Sequence, residues 1–127
     1  MPLDEETEKI ATTIVDCAYK VHKKLGPGLL EKVYEQCLVY ELRKAGLNCK
    51  TQLPIAVQYE NLLIQDAFKL DILVEDKVVI EMKAVERMHE SVDAQLLSYL
   101  TMTGKRLGFL INFKVRFIRQ GITRFVK

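Results

Sequence analysis

Residues 68–83 read FKLDILVEDKVVIEMK, and the fold turns on how this stretch pairs with itself. Phe68, Leu70, Ile72 and Val74 alternate with Lys69, Asp71 and Leu73, the period-two pattern of a strand. The polar Glu75-Asp76-Lys77 interrupts it, and Val78 to Ala84 reads as the return strand. If Val74 and Val78 close a three-residue loop, Ile72 falls opposite Ile80 and Asp71 opposite Glu81. One face then carries Phe68, Leu70, Ile72, Val74, Val78, Ile80, Met82 and Ala84. The other presents Leu73 and Val79, then the carboxylates of Asp71 and Glu81, then Lys69 and Lys83. A two-residue turn would instead pair Asp71 with Met82 and scatter the acids.

That juxtaposition has a chemical reading. Like charges placed opposite each other destabilise a hairpin by up to about 1 kcal/mol. Covering the face with a helix raises the cost of unpaired carboxylates to several kcal/mol. A hard divalent cation would turn the cost into binding, because neighbouring carboxylate oxygens are what Mg²⁺ or Mn²⁺ favours. Glu81 and Lys83, two apart on a strand, share a face. The alternative is a solvent-exposed polar face with an ordinary Glu–Lys neighbour pair.

Outward from this hairpin, Ile10, Ile14, Val15, Ala18, Val21 and Leu25 recur at helical spacing, which predicts an amphipathic helix over about 5–25. Gly26 and Pro27 stop it. A second helix should start near Gly28, with Leu30, Val33, Tyr34, Cys37, Leu38 and Leu42 inward, and end at Gly46. Ile55, Val57 and Tyr59 alternate as a strand that turns at Glu60-Asn61, and Pro54 fits a strand start or an edge. A third helix over about 89–103 carries Val92, Leu96, Leu97 and Leu100 and stops at Gly104. Leu107 to Phe113 and roughly Val115 to Val126 read as final strands, turning near Gln120-Gly121. The order α-α-β-β-β-α-β-β, without repeats or linkers, implies one α+β or mixed-sheet domain over 1–127.

Few other residues offer chemistry. Glu31, three after Gly28, falls in the first turn of the second helix, where the macrodipole favours a carboxylate and a capping box is open to it. Tyr34, a turn later, packs its ring and anchors something nearby through its hydroxyl. Gln95 is polar beside an apolar stripe, pointing either outward or at the carboxylate face. His22 and His89 lack metal-ligand spacing, and Gly26-Pro27-Gly28 matches no phosphate loop.

Composition bounds the function. A chain of 127 residues with 49% hydrophobic and 28% charged residues can fill a core, and no apolar run nears the ~18 residues of a membrane span. The start, with Asp4, Glu5, Glu6 and Glu8, is unlike a signal peptide. Three widely spaced cysteines, Cys17, Cys37 and Cys49, suit a reducing cytoplasm rather than a disulfide framework or zinc site. Charge is asymmetric: residues 1–100 carry 12 Lys/Arg against 17 Asp/Glu, whereas residues 101–127 carry seven bases and no acid. Lys105, Arg106, Lys114, Arg116, Arg119 and Arg124 could contact phosphates. Equally, they fit the outward positions of strands whose Phe113, Val115, Phe117, Ile122 and Phe125 face in.

The stretch VH followed by LGPGLLEKVYE contains Gly28, Glu31 and Tyr34 in the spacing GxxExxY, and FKLDILVED, VVIEMKAVE, AQLLSYL and LGFLINF follow in order. In these motifs, from about residue 15 onward, the chain resembles the GxxExxY family, a small-protein branch of the PD-(D/E)XK nuclease superfamily. The resemblance implies a nuclease-like core, a central mixed four-stranded sheet flanked by helices. It implies that Asp71 and Glu81 are metal-binding carboxylates, helped by the Met82 backbone carbonyl. Lys83 would be the active-site lysine, Glu31 an acid from the early helix acting through water, and Gln95 a polar residue from the helix after the hairpin. The signature's proline has no counterpart, since Leu70 precedes Asp71, and Met88 to Asp93 departs from the pattern.

The activity so implied is Mg²⁺- or Mn²⁺-dependent hydrolysis of phosphodiester bonds in nucleic acid, DNA ahead of RNA, with backbone contacts that ignore base identity. The alternative is a non-catalytic nucleic-acid-binding or protein-interaction module on the same scaffold. So short a chain implies a homodimer or an accessory to a larger complex.

Overall fold

The computed structural model describes residues 1–127. Helix α1 (Glu5–Leu25) starts where the Asp4 carboxylate accepts the Thr7 N–H at 2.7 Å. Acids in its first turn and Lys23 and Lys24 in its last complement the dipole. Of the predicted stripe, Ile10, Ile14, Ala18 and Val21 are buried and Val15 and Leu25 partly so, and Ala11 and Cys17 complete it. Helix α2 (Glu31–Lys44) starts later than Gly28. The buried Tyr34 reaches back, its hydroxyl donating to the Gly26 carbonyl and accepting the Leu29 N–H at 3.0 Å. That bridge holds the Gly-Pro-Gly segment as a turn outside the helix.

Five strands follow: β1 (Cys49–Tyr59), β2 (Leu62–Val74), β3 (Val78–Lys83), β4 (Leu107–Asn112) and β5 (Ile122–Val126), with α3 (Ser91–Thr103) between β3 and β4. They form one mixed sheet in the order β1-β2-β3-β4-β5. β3 and β4 run parallel, joined by the α3 crossover, and all other neighbours are antiparallel. The sheet thus has five strands where a four-stranded core was expected. Helices α1 and α2 cover one face over a cluster that includes Ile72, Val74, Ile80, Met82 and Phe109. Helix α3 covers the other through Val92, Leu96 and Leu100, which pack with Leu70, Leu73, Val79 and Leu110.

The central hairpin keeps the register of the three-residue loop: Val74 pairs with Val78, Leu73 with Val79 and Ile72 with Ile80. Three expectations need correcting. Phe68 and Leu70 lie on the α3 face with Leu73, not with Ile72, so strict alternation fails between Leu70 and Ile72. There β2 leaves β3, and Phe68 rolls over to stack on Tyr99 of α3, with ring centroids 4.2 Å apart. Second, the β1–β2 hairpin is longer than read, because Leu62, Leu63 and Ile64 pair with Tyr59, Gln58 and Val57, and residues 62–67 form an exposed arm with no core-facing alternation to betray it. Pro54 lies in β1, the edge strand. Third, Val115 to Gly121 is not a strand. Phe113 is buried and stacks on Tyr34 at 4.6 Å, and His22 Nε2 bonds the Val115 carbonyl at 2.8 Å. These contacts pull the chain off the sheet, leaving Phe117 half exposed, and a 3₁₀ turn (Ile118–Gly121) returns it to β5.

Candidate active site

The site is built where β2 and β3 part. Their backbone pairing ends at Ile72 and Ile80, and side chains take over from the ladder beyond. Asp71 Oδ2 accepts the Met82 N–H at 2.8 Å, while Glu81 Oε1 takes a long 3.5 Å bond from the Asp71 N–H. The N–H and C=O of a strand residue point the same way, so the Met82 carbonyl faces the same fork. Opposite, Gln52 adopts φ 49° within β1 and donates to Asp71 Oδ1 at 3.3 Å and to Glu35 Oε1 at 2.9 Å. The fork therefore joins β1, β2, β3 and α2.

Electrostatics mark Asp71 as the hub. Glu81 is only 6% exposed, and burial, then the charge and hydrogen bonding of Asp71, push its pKa up to about 8. Burial and then the Asp71 charge also raise Glu31 and Glu35 on α2. Tyr99, on α3, is raised by burial, then by Glu81 and Asp71. The positive charge of Lys83 opposes the rise at Glu31 and Glu81 without cancelling it. One carboxylate on the sheet is thus felt from the helices on both faces, which puts the acids at the end of the sheet between those layers.

The residues singled out in the sequence are placed as follows. Asp71 and Glu81 converge, and Lys83 is half buried two positions beyond Glu81 on β3. Glu31 is the first residue of α2, exposed, and forms no capping box, since Leu30 caps without a side-chain bond. Gln95 is exposed on α3, one turn before Tyr99, and no hydrogen bond ties it to the fork. Sequence reading missed Glu35, Gln52 and Tyr99. Two of these had a signal: Glu35 is one helical turn from Glu31, and Tyr99 one turn from Gln95. Gln52 had none.

The C-terminal cations are largely engaged elsewhere. Lys105 pairs with Asp76 at 3.4 Å, Lys114 with Glu86 at 3.7 Å and Arg124 with Glu8 at 2.9 Å. Arg106 donates to the carbonyls of Met1, Pro2 and Lys127. Arg116 lies over the Phe117 ring, 5.1 Å from guanidinium to centroid, and Arg119 makes no ion pair.

The fit to a metal rests on the donor set. No three His, Cys, Asp or Glu side chains lie close enough together to hold an ion. What converges is two carboxylates and a backbone carbonyl, all oxygen donors. Mg²⁺ is commonly held by one or two carboxylates and keeps several waters, so this set fits a hard cation. A buried Glu81 whose nearest charged partner is another acid fits one for the same reason.

A mixed sheet between helices, with a forked pair of acids and a lysine two residues on, defines a nuclease-like α/β protein. A family model described as the PD-(D/E)XK nuclease superfamily matches residues 8–125, and the chain belongs to that superfamily. Comparison with curated proteins and with solved structures found no match. No helix is long and apolar enough to cross a membrane.

Proposed function

We propose that this protein hydrolyses phosphodiester bonds of nucleic acid at the fork, with DNA ahead of RNA as substrate. One observation carries the reading: Asp71 and Glu81 converge where the sheet opens, and Glu81 is buried beside a second acid without a neutralising partner. Asp71, Glu81 and the Met82 carbonyl would hold Mg²⁺ or Mn²⁺, with Glu31 reaching it through water. When bound, such an ion polarises a phosphoryl oxygen and lowers the pKa of a water. Lys83 orients the attacking water and offsets charge gathering on the phosphoryl oxygens. Gln95 steers a phosphate oxygen from the α3 side. Of the six cations singled out, Arg116 and Arg119 lack carboxylate or carbonyl partners and are left to meet a phosphate. Three free thiols suit a reducing compartment, the cytoplasm. A homodimer or an accessory role would use the exposed Tyr59, Leu62 and Ile64 of the β1–β2 arm.

The test is a cleavage panel of single-stranded, duplex and branched DNA and RNA. Cutting should require a divalent metal and disappear in Glu81→Ala and in Lys83→Ala. Cutting that persists in Glu81→Ala refutes the site. If no substrate is cut, and Mn²⁺ raises the melting temperature of wild type and Asp71→Ala equally, the binding-module alternative stands instead.

A further inference from the structure

We propose that the groove between α1 and α2 holds a single nucleic-acid strand on its way to or from the fork, an inference that rests on the nuclease reading above. The groove encloses about 860 Å³, and Val21, Leu25, Cys37 and Tyr40 give it an apolar floor. Lys20, Lys23 and Lys24 of α1 and Lys44 of α2 rim it, against one acid, Glu41. None of the four lysines has a carboxylate within 4.0 Å, whereas Lys105, Lys114 and Arg124 in the basic C-terminal segment are paired. Helix dipoles account for cations at these helix ends, but not for the concave apolar floor between them.

Tyr40 selects the occupant. The residue is 63% exposed, and the Lys44 ammonium lies 6.0 Å from its ring centroid. An exposed aromatic beside unpaired cations is how proteins hold a strand irrespective of sequence, stacking a base and neutralising the phosphates. Gln36, Tyr40 and Lys44 of α2 line both this groove and a neighbouring cleft of about 620 Å³ that Glu35 and Thr51 also line. Glu35 connects through Gln52 to Asp71.

The experiment is fluorescence anisotropy with a labelled 15-residue oligothymidylate, in EDTA so that nothing is cut, over about 50–200 mM salt. Combined Lys20→Gln, Lys24→Gln and Lys44→Gln substitutions should weaken binding at least about tenfold and reduce the log–log salt slope by about 2. Tyr40→Ala should cost roughly fivefold or more, with recovery in Tyr40→Phe. Lys9→Gln, which removes one positive charge elsewhere on α1, should change affinity by less than twofold. A triple variant that binds like Lys9→Gln overturns the groove. So does a poly-glutamate peptide that displaces the oligonucleotide at equal charge. The same proteins assayed for cleavage with Mn²⁺ separate the two readings. A wild type that cuts but binds without the groove lysines refutes only the groove. One that binds through them and never cuts refutes only the nuclease. One that binds no oligothymidylate refutes the groove, and the cleavage panel alone then decides the nuclease.

Discussion

Glu81 and Asn112 lie near the ends of adjacent parallel strands, β3 and β4, and are almost equally buried at 6% and 7% exposure. Their surroundings differ in kind. The Asn112 side chain accepts the N–H groups of Val85 and Lys114 at 3.1 and 3.2 Å and donates to the Val85 carbonyl at 2.9 Å. It ties the exit of β3 to the exit of β4. Glu81 receives one long bond and faces another acid. A buried polar group tied to several backbone partners serves the fold, whereas one held by a single long backbone bond beside another acid keeps capacity for a ligand. The two residues are a matched pair in which depth is constant and satisfaction is not.

The sharpest way to break the comparison is Glu81→Gln. Cleavage should fall about 10³-fold or more, because a metal-holding oxygen charge is lost. In EDTA at pH 8 the variant should melt several degrees higher than wild type, since folding no longer has to hold Glu81 protonated, or charged and buried, against solution pH. A lower melting temperature would place Glu81 with Asn112, among the structural residues.

Stability against pH comes next. The folded state keeps Glu81 protonated up to about pH 8, while its ordinary value is 4.5. Between those values the folded protein binds more protons than the unfolded one, so metal-free stability declines as pH rises through that window, with Glu81 alone contributing at most about 1.4 kcal/mol per unit. Glu31 and Glu35 are shifted in the same direction and add to the slope. Urea denaturation in EDTA from pH 4.5 to 8.5 measures it, and Glu81→Gln should flatten most of it. Saturating Mn²⁺ should reverse the trend, because only the ionised acid binds.

Asn112→Ala should cost about 3 kcal/mol by leaving Val85 and Lys114 backbone groups unpaired. Its melting temperature should still rise with Mn²⁺, which separates structural loss from site loss. Gly121→Ala should be smaller, about 1–3 kcal/mol. A Cβ there would sit 2.0 Å from the Asn112 carbonyl oxygen, so the return to β5 must shift. The pH slope of this variant should match wild type; a changed slope would mean that the two strand ends are not independent.

How much of this was legible depends on how local the determinant is. The extent of α1, the hairpin loop and the Ile72–Ile80 pairing follow from side-chain period, Gly26 and Pro27, and a three-residue polar break, all read within a few positions. The pairing that juxtaposes Asp71 and Glu81 was readable for the same reason. Phe68 and Leu70 were assigned to the wrong face because alternation assumes an unbroken ladder, and Asp71 breaks it by bonding the Met82 amide. Residues 115–121 read as strand because Val115 and Phe117 alternate with cations, yet His22, 93 positions earlier, takes the Val115 carbonyl. The pairing of C-terminal cations with Asp76, Glu86 and Glu8 was equally out of reach.

From the chain alone came the element order, the hairpin register and the pairing of two acids with a lysine, because strand period and turn length are short-range properties. Only the folded molecule decided that Glu81 is buried without a neutralising partner, that Gln52 and Glu35 join the fork, and which cations remain free. Those outcomes depend on desolvation and on distances between segments far apart in sequence, and such distances exist only once the sheet and helices have packed.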